Sequence, residues 1–462
     1  MHRPDETIAA LATPPGEGAL AVVRVSGPGA KASLEALTGD EAPPRLEPRR
    51  LHRLLLRDPG GEVIDEVLAA WMPGPRSYTG EDLVEISAHG GHETVRALLA
   101  ALARLGVRHA APGEFTYRAF LSGRLDLVQA EAVAELIHSH SEAARALALS
   151  HLEGGLSRRL QPLREELLTL LRDLELGIDF AEEDVEPVSR ETVHERLEAL
   201  RAEVAALLAG ARGGRLVREG ARAVLAGAPN VGKSSIFNAL LEQDRAIVTE
   251  APGTTRDLLE ESWTHRGLVF RLQDTAGLRA AGEAGDEAER LGTDRTEAAL
   301  REAALGIWIL DGARPLRDSE RRRLAALDPG RDLVVINKRD LAGFDRRRAD
   351  PFLPPGVRAL SISARVGTGL DELREALFDL ATGGAGQAIL WAAAAVNRRQ
   401  EARLAALHRD LEPLDRERVA ALETELLARH LRDALSELEE LTGARVGDKV
   451  LEDIFNNFCI GK

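Results

Sequence analysis

Gly227-Ala228-Pro229-Asn230-Val231-Gly232-Lys233-Ser234 is the stretch of this 462-residue chain that decides its fold. It reads G-x-x-x-x-G-K-S, follows the apolar run 223–226 and leads into the helix-like run 235–241. A strand, a glycine-rich loop and a helix in this order are the context in which such a loop binds phosphate. Glycine tolerates positive φ, so the loop can wrap its N–H groups around phosphate oxygens, and the helix N-terminus adds positive charge. We therefore predict an α/β nucleotide-binding domain.

The end of the loop carries the residues with the clearest chemical roles. Lys233 is expected to pair with the β- and γ-phosphates, and Ser234 to ligate Mg²⁺. A glycine-rich turn without a ligand is the alternative for this motif alone, because short patterns also match by chance. The predicted nucleotide contacts in this stretch are Asn230, Val231, Gly232, Lys233, Ser234 and Ser235.

A second segment extends the predicted phosphate site. The strand-like run 268–273 ends in Asp274-Thr275-Ala276-Gly277. Asp274 is placed to reach Mg²⁺ through water, and the Gly277 N–H to meet the γ-phosphate. Between the loop and this strand lies Gly253-Thr254-Thr255-Arg256-Asp257, in which Thr255 is expected to complete the Mg²⁺ shell. The residue after Gly277 is Leu278, which cannot orient an attacking water, so another group must do so.

Two further segments favour guanine as the base. The apolar run 333–336 ends in Asn337-Lys338-Arg339-Asp340, and the Asp340 carboxylate can accept two N–H bonds that guanine offers and adenine does not. Ser363-Ala364-Arg365 is predicted to support the base through a backbone N–H. Each pattern alone also fits an ordinary turn, but their order predicts GTP and makes an ATPase the weaker interpretation.

The chain resembles the MnmE (TrmE) family of tRNA-modification GTPases. The resemblance rests on G-A-P-N-V-G-K-S-S, P-G-T-T-R-D, D-T-A-G-L-R, N-K-R-D and the run F-C-I-G-K over residues 458–462. It implies a potassium ion in place of an arginine finger, held by Asn230 and by backbone carbonyls near Thr249, Ala251 and Thr254. It also implies that Glu289 orients the attacking water, with Glu287 as the alternative. The implied catalytic residues are Glu289, Lys233 and Asn230.

The first part of the chain differs from the rest in composition. Three strand-like runs separated by Gly and Pro, followed by one amphipathic helix over 94–105, predict an α+β domain over residues 1–120. By resemblance this domain binds 5-formyl- or 5,10-methylene-tetrahydrofolate through Arg24, Glu85, Arg124 and Lys462. Without the resemblance, a surface charge or an ion pair is the simpler interpretation of each of these residues.

Leucine-rich helical periodicity occupies 121–215 and returns over 383–462, on both sides of the GTPase region 216–382. This pattern predicts one helical domain with a Ras-like α/β GTPase domain inserted in it. The fold class is therefore multidomain α/β and α, with the α+β folate-binding-like domain at the start. We expect Gly213-Gly214 to close the helix before the GTPase region and Pro413 to break a later one.

Composition limits the functional classes. The net charge of −15 argues against a protein that coats nucleic acid, so any RNA contact should be local or shared with a partner. A single cysteine excludes an internal disulfide, and we expect Cys459 to pack as a small hydrophobe rather than act in catalysis. No run of about 18 apolar residues is present, which favours a cytoplasmic protein without a membrane span.

The resemblance implies a potassium-stimulated GTPase that acts on tRNA as a homodimer. With the FAD- and NADH-dependent partner MnmG (GidA), it would convert the wobble uridine of certain tRNAs to an aminomethyl or carboxymethylaminomethyl uridine. A regulatory ribosome-assembly-type GTPase that binds RNA without modifying it is the main alternative, although the leucine-rich segment after residue 386 counts against it. The third functional hypothesis is a one-carbon transferase whose GTPase domain is regulatory.

Overall fold

A computed structural model describes residues 5–39, 46–179, 188–241, 260–274, 303–386 and 396–462. The chain divides into two compact units. The first unit comprises Met1–Ile137, Leu149–Arg201 and Ala406–Lys462, and the second comprises His138–Ala148 and Ala202–Ala405. The described part contains both helices and strands in each unit.

Helices and strands are numbered along the described chain. The strands are β1 Ile8–Leu11, β2 Gly18–Ser26, β3 Leu51–Arg57, β4 Val63–Met72, β5 Leu83–Gly90, β6 Arg108–His109, β7 Ala221–Ala226, β8 Glu260–His265, β9 Leu268–Asp274, β10 Leu305–Asp311, β11 Asp332–Asn337 and β12 Arg358–Ser361. The helices are α1 Ala30–Ala36, α2 His92–Arg104, α3 Glu114–Leu121, α4 Leu127–Ile137, α5 Glu142–Leu152, α6 Gly155–Asp179, α7 Arg190–Ala209, α8 Ala211–Glu219, α9 Lys233–Leu241, α10 Asp318–Leu324, α11 Leu370–Thr382, α12 Arg398–Leu411, α13 Arg416–Ala421, α14 Thr424–Thr442 and α15 Asp448–Phe455.

The first unit is built on a sheet in the order β3-β4-β5-β2-β1-β6. Neighbouring strands are antiparallel except for the parallel pair β1 and β6. Leu34 of α1 and Leu98 and Leu102 of α2 are buried in one cluster with Val23 and Ile86 of the sheet. The predicted strands and the predicted helix of this region are confirmed, and they form an α+β domain.

The helical part of the first unit uses its leucine stripes as a core. Leucines of α6 and α14 at helical spacing are buried. The ion pairs Arg164–Glu439 and Arg432–Glu175, at 3.2 and 2.8 Å, show that the two helices run antiparallel along each other. The buried leucines of this contact include Leu163, Leu167, Leu170, Leu174, Leu431 and Leu438.

The second unit is built on a sheet in the order β12-β11-β10-β7-β9-β8. All pairs are parallel except the antiparallel hairpin β8–β9. Every residue of β11 is buried, as its uninterrupted apolar run predicts for a central parallel strand. The carboxyl ends of β7, β10 and β11 therefore meet at one edge, where ligands bind in open α/β sheets.

The prediction that Gly213-Gly214 closes a helix is wrong. Helix α7 ends at Ala209, and α8 runs through both glycines to Glu219. Gly213 and Gly214 are buried on the inner side of α8, so close packing outweighs the low intrinsic helix propensity of glycine. The break predicted at Pro413 is confirmed, because α12 ends at Leu411.

A buried ionic network holds the start of α3. Arg118 is 1% exposed and donates to Glu81 at 2.8 Å, to the Glu6 carbonyl at 3.0 Å and to Glu114 at 3.2 Å. Glu114 also accepts from Arg108. Burial would raise the pKa of the Glu114 carboxyl, but the Arg108 bonds and the Ala111 N–H outweigh burial, and the pKa is lowered. The ionised carboxylate therefore stabilises the fold.

Among the described helices, none has the length and apolar character needed to cross a membrane.

Replacing Glu114 by Gln should destabilise the first unit. Removing one partner of a buried ion pair costs about 3 kcal/mol, because Arg118 keeps its charge without its full set of acceptors. Glu114 has a lowered pKa, so its contribution is present above the pKa of about 4.3 of an unfolded glutamate and is lost as the pH falls through the lower folded value. Urea unfolding at pH 7 and at pH 3 measures both effects.

The matched control is Glu93→Gln, which removes a carboxylate from an exposed pair with Arg96. It should leave the unfolding midpoint unchanged, since exposed pairs contribute little. An equal loss in the two variants, or a Glu114→Gln effect that is undiminished at pH 3, would contradict the role assigned to the network.

Candidate functional site

The phosphate loop lies between β7 and α9 and has a constrained backbone. Gly227 has φ +152°, and a Cβ there would overlap the carbonyl oxygen of Ile309. Gly232 has φ +101°, and a Cβ there would overlap the Nδ2 atom of Asn337. Asn230 adopts φ 63°, a left-handed conformation that asparagine tolerates better than most residues. The two glycines are therefore required by space as well as by conformation.

The cationic and hydroxyl groups of the loop lie at the start of α9. Lys233 Nζ donates to the carbonyls of Gly227 and Ala228, each at 3.0 Å. Ser234 and Ser235 are exposed in the first turn of the same helix. A positive charge, hydroxyl groups and a helix N-terminus converge here, which is an arrangement suited to a phosphate chain with its divalent cation.

Asn337 joins the phosphate loop to the loop that follows β12. Its side chain is buried, with Nδ2 donating to the Val231 carbonyl at 2.9 Å. Its Oδ1 accepts from the Ala364 N–H at 3.1 Å. The amide of Asn337 thus donates to the phosphate loop and accepts from the predicted base-supporting loop. The two loops are therefore held in a fixed position relative to each other.

Asp340 and Ser363 also come together. Ser363 Oγ donates to Asp340 Oδ1 at 2.7 Å, and this bond is the main reason why the pKa of the Asp340 carboxyl is lowered. Asp340 is exposed, as is Arg365 in the following turn. An ionised, exposed carboxylate at the carboxyl edge of the sheet can accept N–H groups from a base.

A supporting pair in this site was missed by sequence reasoning. Lys338 has φ 69°, and its Nζ donates to Asp311 at the end of β10 at 2.7 Å. Burial would raise the pKa of Asp311, but the Lys338 ammonium and the Ala313 N–H outweigh burial, and the pKa is lowered. The signal available in the sequence was an aspartate directly after the apolar run 305–310, the same pattern that marks Asp274.

The first unit brings three of its four predicted folate-binding residues together. Arg24 on β2 and Glu85 on β5 face each other in register, with Nε and Oε1 2.7 Å apart. Arg24 also donates to the Gly461 carbonyl at 3.3 Å and lies over the ring of Tyr78, 5.4 Å from its centroid. Tyr78 is a member of this cluster that the sequence analysis did not identify.

Lys462 reaches the same cluster from the far end of the sequence. Its carbonyl accepts from the Phe115 N–H at 3.2 Å. Burial lowers the pKa of its ammonium, Arg24 lowers it further, and Glu85 partly offsets both. Arg124 is exposed and is close enough to Tyr78 to act on the pKa of that phenol. The cluster holds more positive than negative charge and suits an anionic ligand.

Two family models match the chain. A model of the MnmE helical domain matches residues 127–459, and a model of the GTP-binding protein TrmE N-terminus matches residues 7–124. The first match alone spans more than two thirds of the sequence. The chain belongs to the MnmE family of tRNA modification GTPases.

Curated relatives within the MnmE family match at full length. The chain is 41% identical over 471 residues to the tRNA modification GTPase MnmE of Heliobacterium modesticaldum, and the match covers 99% of both sequences. The MnmE proteins of Geobacter metallireducens and Akkermansia muciniphila are 41% and 42% identical, over 99% and 100% of each chain respectively. This member of the MnmE family is therefore a P-loop GTPase with the domain types predicted from its sequence.

Part of the MnmE-type site falls outside the described residues. Asp274 ends β9, but its side chain is not among those described. The predicted cation, water-orienting and switch residues outside the described ranges are Thr249, Ala251, Thr254, Thr255, Thr275, Ala276, Gly277, Leu278, Glu287 and Glu289.

The expectation that Cys459 packs as a small hydrophobe is wrong. Cys459 is exposed, whereas its neighbour Phe458 is 7% exposed and fills the space beneath. The Cys459 carbonyl accepts from the Lys462 N–H at 3.3 Å, so this segment turns at the cysteine and directs its side chain outward.

Replacing Asn337 by Ala should uncouple the two loops. The change removes a buried donor and a buried acceptor, and each group left without a partner costs about 1–3 kcal/mol. We expect the Kd for GDP to rise about 10- to 100-fold, since about 1.4 kcal/mol corresponds to a factor of ten. Titration with a fluorescent GDP analogue measures this change.

Asn238→Ala is the control, because Asn238 is exposed on α9 next to the same loop. It should bind GDP with unchanged affinity. Asn337→Asp keeps the acceptor for Ala364 and should fall between the wild type and Asn337→Ala. A Kd in Asn337→Ala equal to that of the control would show that the bridge does not support the nucleotide site.

Proposed function

We propose that this MnmE family member couples GTP hydrolysis to modification of the wobble uridine of certain tRNAs, together with the FAD- and NADH-dependent partner MnmG (GidA). The product is a uridine with an aminomethyl or carboxymethylaminomethyl group, and a tetrahydrofolate supplies the carbon. The observation that carries the proposal is that one chain holds two prepared sites, the braced nucleotide loops and the Arg24–Glu85 cluster. Full-length relatives named tRNA modification GTPase MnmE support the assignment of tRNA as substrate.

The nucleotide part of the proposal follows from the second unit. The N–H groups of the loop 227–232 and the Lys233 ammonium would hold the phosphates, and the Asp340 carboxylate would accept two N–H bonds from guanine. Ser234 and Thr255 would ligate Mg²⁺, which supplies neutralising charge to the phosphates. The remaining predicted contacts would come from backbone groups or from side chains that lie beside the nucleotide. They are Val231, Ser235, Ala364 and Arg365.

The cation proposal rests on Asn230. Asn230 is exposed. Its side-chain amide makes no hydrogen bond within the described part of the chain, so the amide oxygen can ligate an ion. A potassium ion there would supply the transition-state charge that an arginine supplies in other GTPases. The carbonyls near Thr249, Ala251 and Thr254 would complete this site, and Glu289, or Glu287 in its place, would orient the attacking water.

The folate proposal rests on the charge and hydrogen-bonding capacity of the first-unit cluster. Glu85 uses Oε1 for Arg24, which leaves Oε2 to accept N–H groups from a pterin edge. Arg24 and Arg124 provide positive charge for the carboxylates of the glutamate tail, and an anionic ligand would offset the burial that lowers the pKa of Lys462. The donor group would be 5-formyl- or 5,10-methylene-tetrahydrofolate.

The remaining parts of the proposal concern assembly and location. Two copies would form a homodimer whose GTPase domains meet across the switch regions. The proposed compartment is the cytoplasm, because the proposed substrate is tRNA. The domain boundaries proposed for these activities are 1–120, 121–215, 216–382 and 383–462.

GTP hydrolysis should be faster in potassium than in sodium at equal ionic strength. We expect about 10²-fold stimulation, which is the scale of one transition-state electrostatic contact, and we expect it to be lost in Asn230→Ala. Phosphate release measures the rate. The control is Asn456→Ala, an exposed asparagine of the first unit, which should keep the full stimulation.

Glu289→Ala and Glu287→Ala belong in the same assay. Loss of hydrolysis in only one of them identifies the residue that orients the water. Equal rates in the two salts for the wild type would remove the potassium mechanism and favour the regulatory-GTPase alternative.

Folate binding should depend on the cross-strand pair. Arg24→Gln and Glu85→Gln should each weaken 5-formyl-tetrahydrofolate binding about tenfold or more, because hydrogen bonds to charged groups contribute about 1.5–3 kcal/mol. Equilibrium dialysis measures the Kd. Arg53→Gln is the matched control, since it removes an arginine from another cross-strand pair of the same sheet, Arg53–Glu66. Folate affinity that is equal in all three variants would refute the site.

A further inference from the structure

The second unit carries a concentration of positive charge, most of which lies outside the candidate nucleotide site. Between Asp311 and Arg358 the sequence holds twelve Arg and Lys residues and eight Asp and Glu residues, although the whole chain has a net charge of −15. Two arginine triplets stand out within this segment, at 321–323 and 346–348.

The fold places the two triplets side by side. The first ends α10, and the second forms a single helical turn, Arg346–Arg348, after β11. The guanidinium of Arg321 lies 5.5 Å from the ring centroid of Phe352, just beyond the second triplet. Leu324 and Ala349, the residues that directly follow the triplets, are buried in one apolar cluster over β10 and β11. Packing of these apolar residues therefore directs the arginines outward.

Several of these arginines are not neutralised. Asp318 pairs with Arg321 at 3.3 Å, and Asp345 lies 3.7 Å from Arg348. Within the part of the chain that the structure describes, the exposed side chains of Arg322, Arg346 and Arg347 make no ion pair. A further exposed carboxylate, Asp350, lies beside the second triplet. We call the two triplets together with Arg317 the basic surface. Its seven arginines lie near Asp318, Asp345 and Asp350, while Glu320 on α10 is paired with Arg314 at 2.6 Å and Glu372 lines a cavity together with Arg346.

We infer that the basic surface binds the phosphate backbone of the tRNA. This inference rests on the proposed function, which supplies the RNA. Guanidinium groups pair with phosphate oxygens in two parallel bonds, and such contacts position RNA without reading its sequence.

Charge complementarity favours RNA over a protein as the occupant. The core of a protein interface is depleted of charged residues, whereas this surface consists mostly of arginines. Since the chain as a whole is acidic, it repels a polyanion elsewhere, and screening over about 10 Å allows a local positive surface to act on its own. The proposed RNA contact is therefore confined to the basic surface, in agreement with the negative net charge of the whole chain.

A triple variant tests the inference on the full-length chain. Arg322→Gln, Arg346→Gln and Arg347→Gln together remove three unpaired charges that lie outside the nucleotide site. The control triple is Arg222→Gln, Arg409→Gln and Arg429→Gln, which removes the same charge from exposed arginines that are scattered over the chain and likewise make no ion pair. The probe is labelled, unfractionated bacterial tRNA, titrated at several potassium chloride concentrations.

The test triple should bind this tRNA about tenfold or more weakly, and the slope of log K against log salt should become shallower by about 3, close to one for each of the three lost phosphate contacts. The control triple should keep the wild-type slope. The Arg→Lys version of the test triple should restore most of the binding, because it restores the charge. Basal GTP hydrolysis without tRNA should be unchanged in all of them, which shows that they fold.

The outcomes distinguish a failure of the basic surface from a failure of the proposed tRNA substrate. Equal weakening in the test and control triples would assign the effect to overall charge and overturn the basic surface. Wild-type affinity in the test triple would also overturn it, and would leave an acidic protein as the occupant, while tRNA modification by the chain would stand. Absence of tRNA binding by the wild type, alone and with MnmG, would overturn both the surface and the proposed substrate.

Discussion

The second unit depends on one buried side-chain amide. Asn337 can meet the Val231 carbonyl and the Ala364 N–H only if the phosphate loop and the loop after β12 lie at fixed positions. Its Nδ2 occupies the space that a Cβ at position 232 would need, so the same amide explains why that position is glycine. A residue assigned to base recognition from its motif therefore also sets the shape of the phosphate site. Through Asn337, a shift of one of these two loops is transmitted to the other.

The charged side chains of the two units differ in their burial and hydrogen bonding. In the first unit, Arg118 and Glu114 are almost fully buried, and their cost of desolvation is met by several hydrogen bonds around α3. In the second unit, Asp340 remains exposed and ionised at the edge of the sheet. Buried charge that is held by several hydrogen bonds and an opposite charge stabilises a fold, whereas exposed charge with unused capacity is available to a ligand. The same distinction separates the Arg118 network from the Arg24–Glu85 cluster, in which Glu85 is about one third exposed.

Sequence reasoning succeeded where local chemistry determines structure. Apolar runs before polar motifs predicted β7, β9 and β11, and the G-x-x-x-x-G-K-S pattern predicted the turn into α9. It failed where a distant part of the chain decides the outcome. Gly213 and Gly214 remain helical because their burial favours small residues, and Cys459 is exposed because Phe458 takes the buried position. Tyr78 carries no motif of its own, so only the folded chain reveals it, whereas Asp311 follows an apolar run but only the folded chain shows that its partner is Lys338.

The return of residues 458–462 to the first unit has a consequence for biosynthesis. Phe115 and Arg24 leave the ribosome early, but their partners Lys462 and Gly461 are translated only after the whole GTPase unit. During synthesis, the sheet of the first unit can form while the Arg24 cluster is still incomplete. A nascent or prematurely truncated chain would therefore carry the nucleotide site before it carries the complete first-unit cluster.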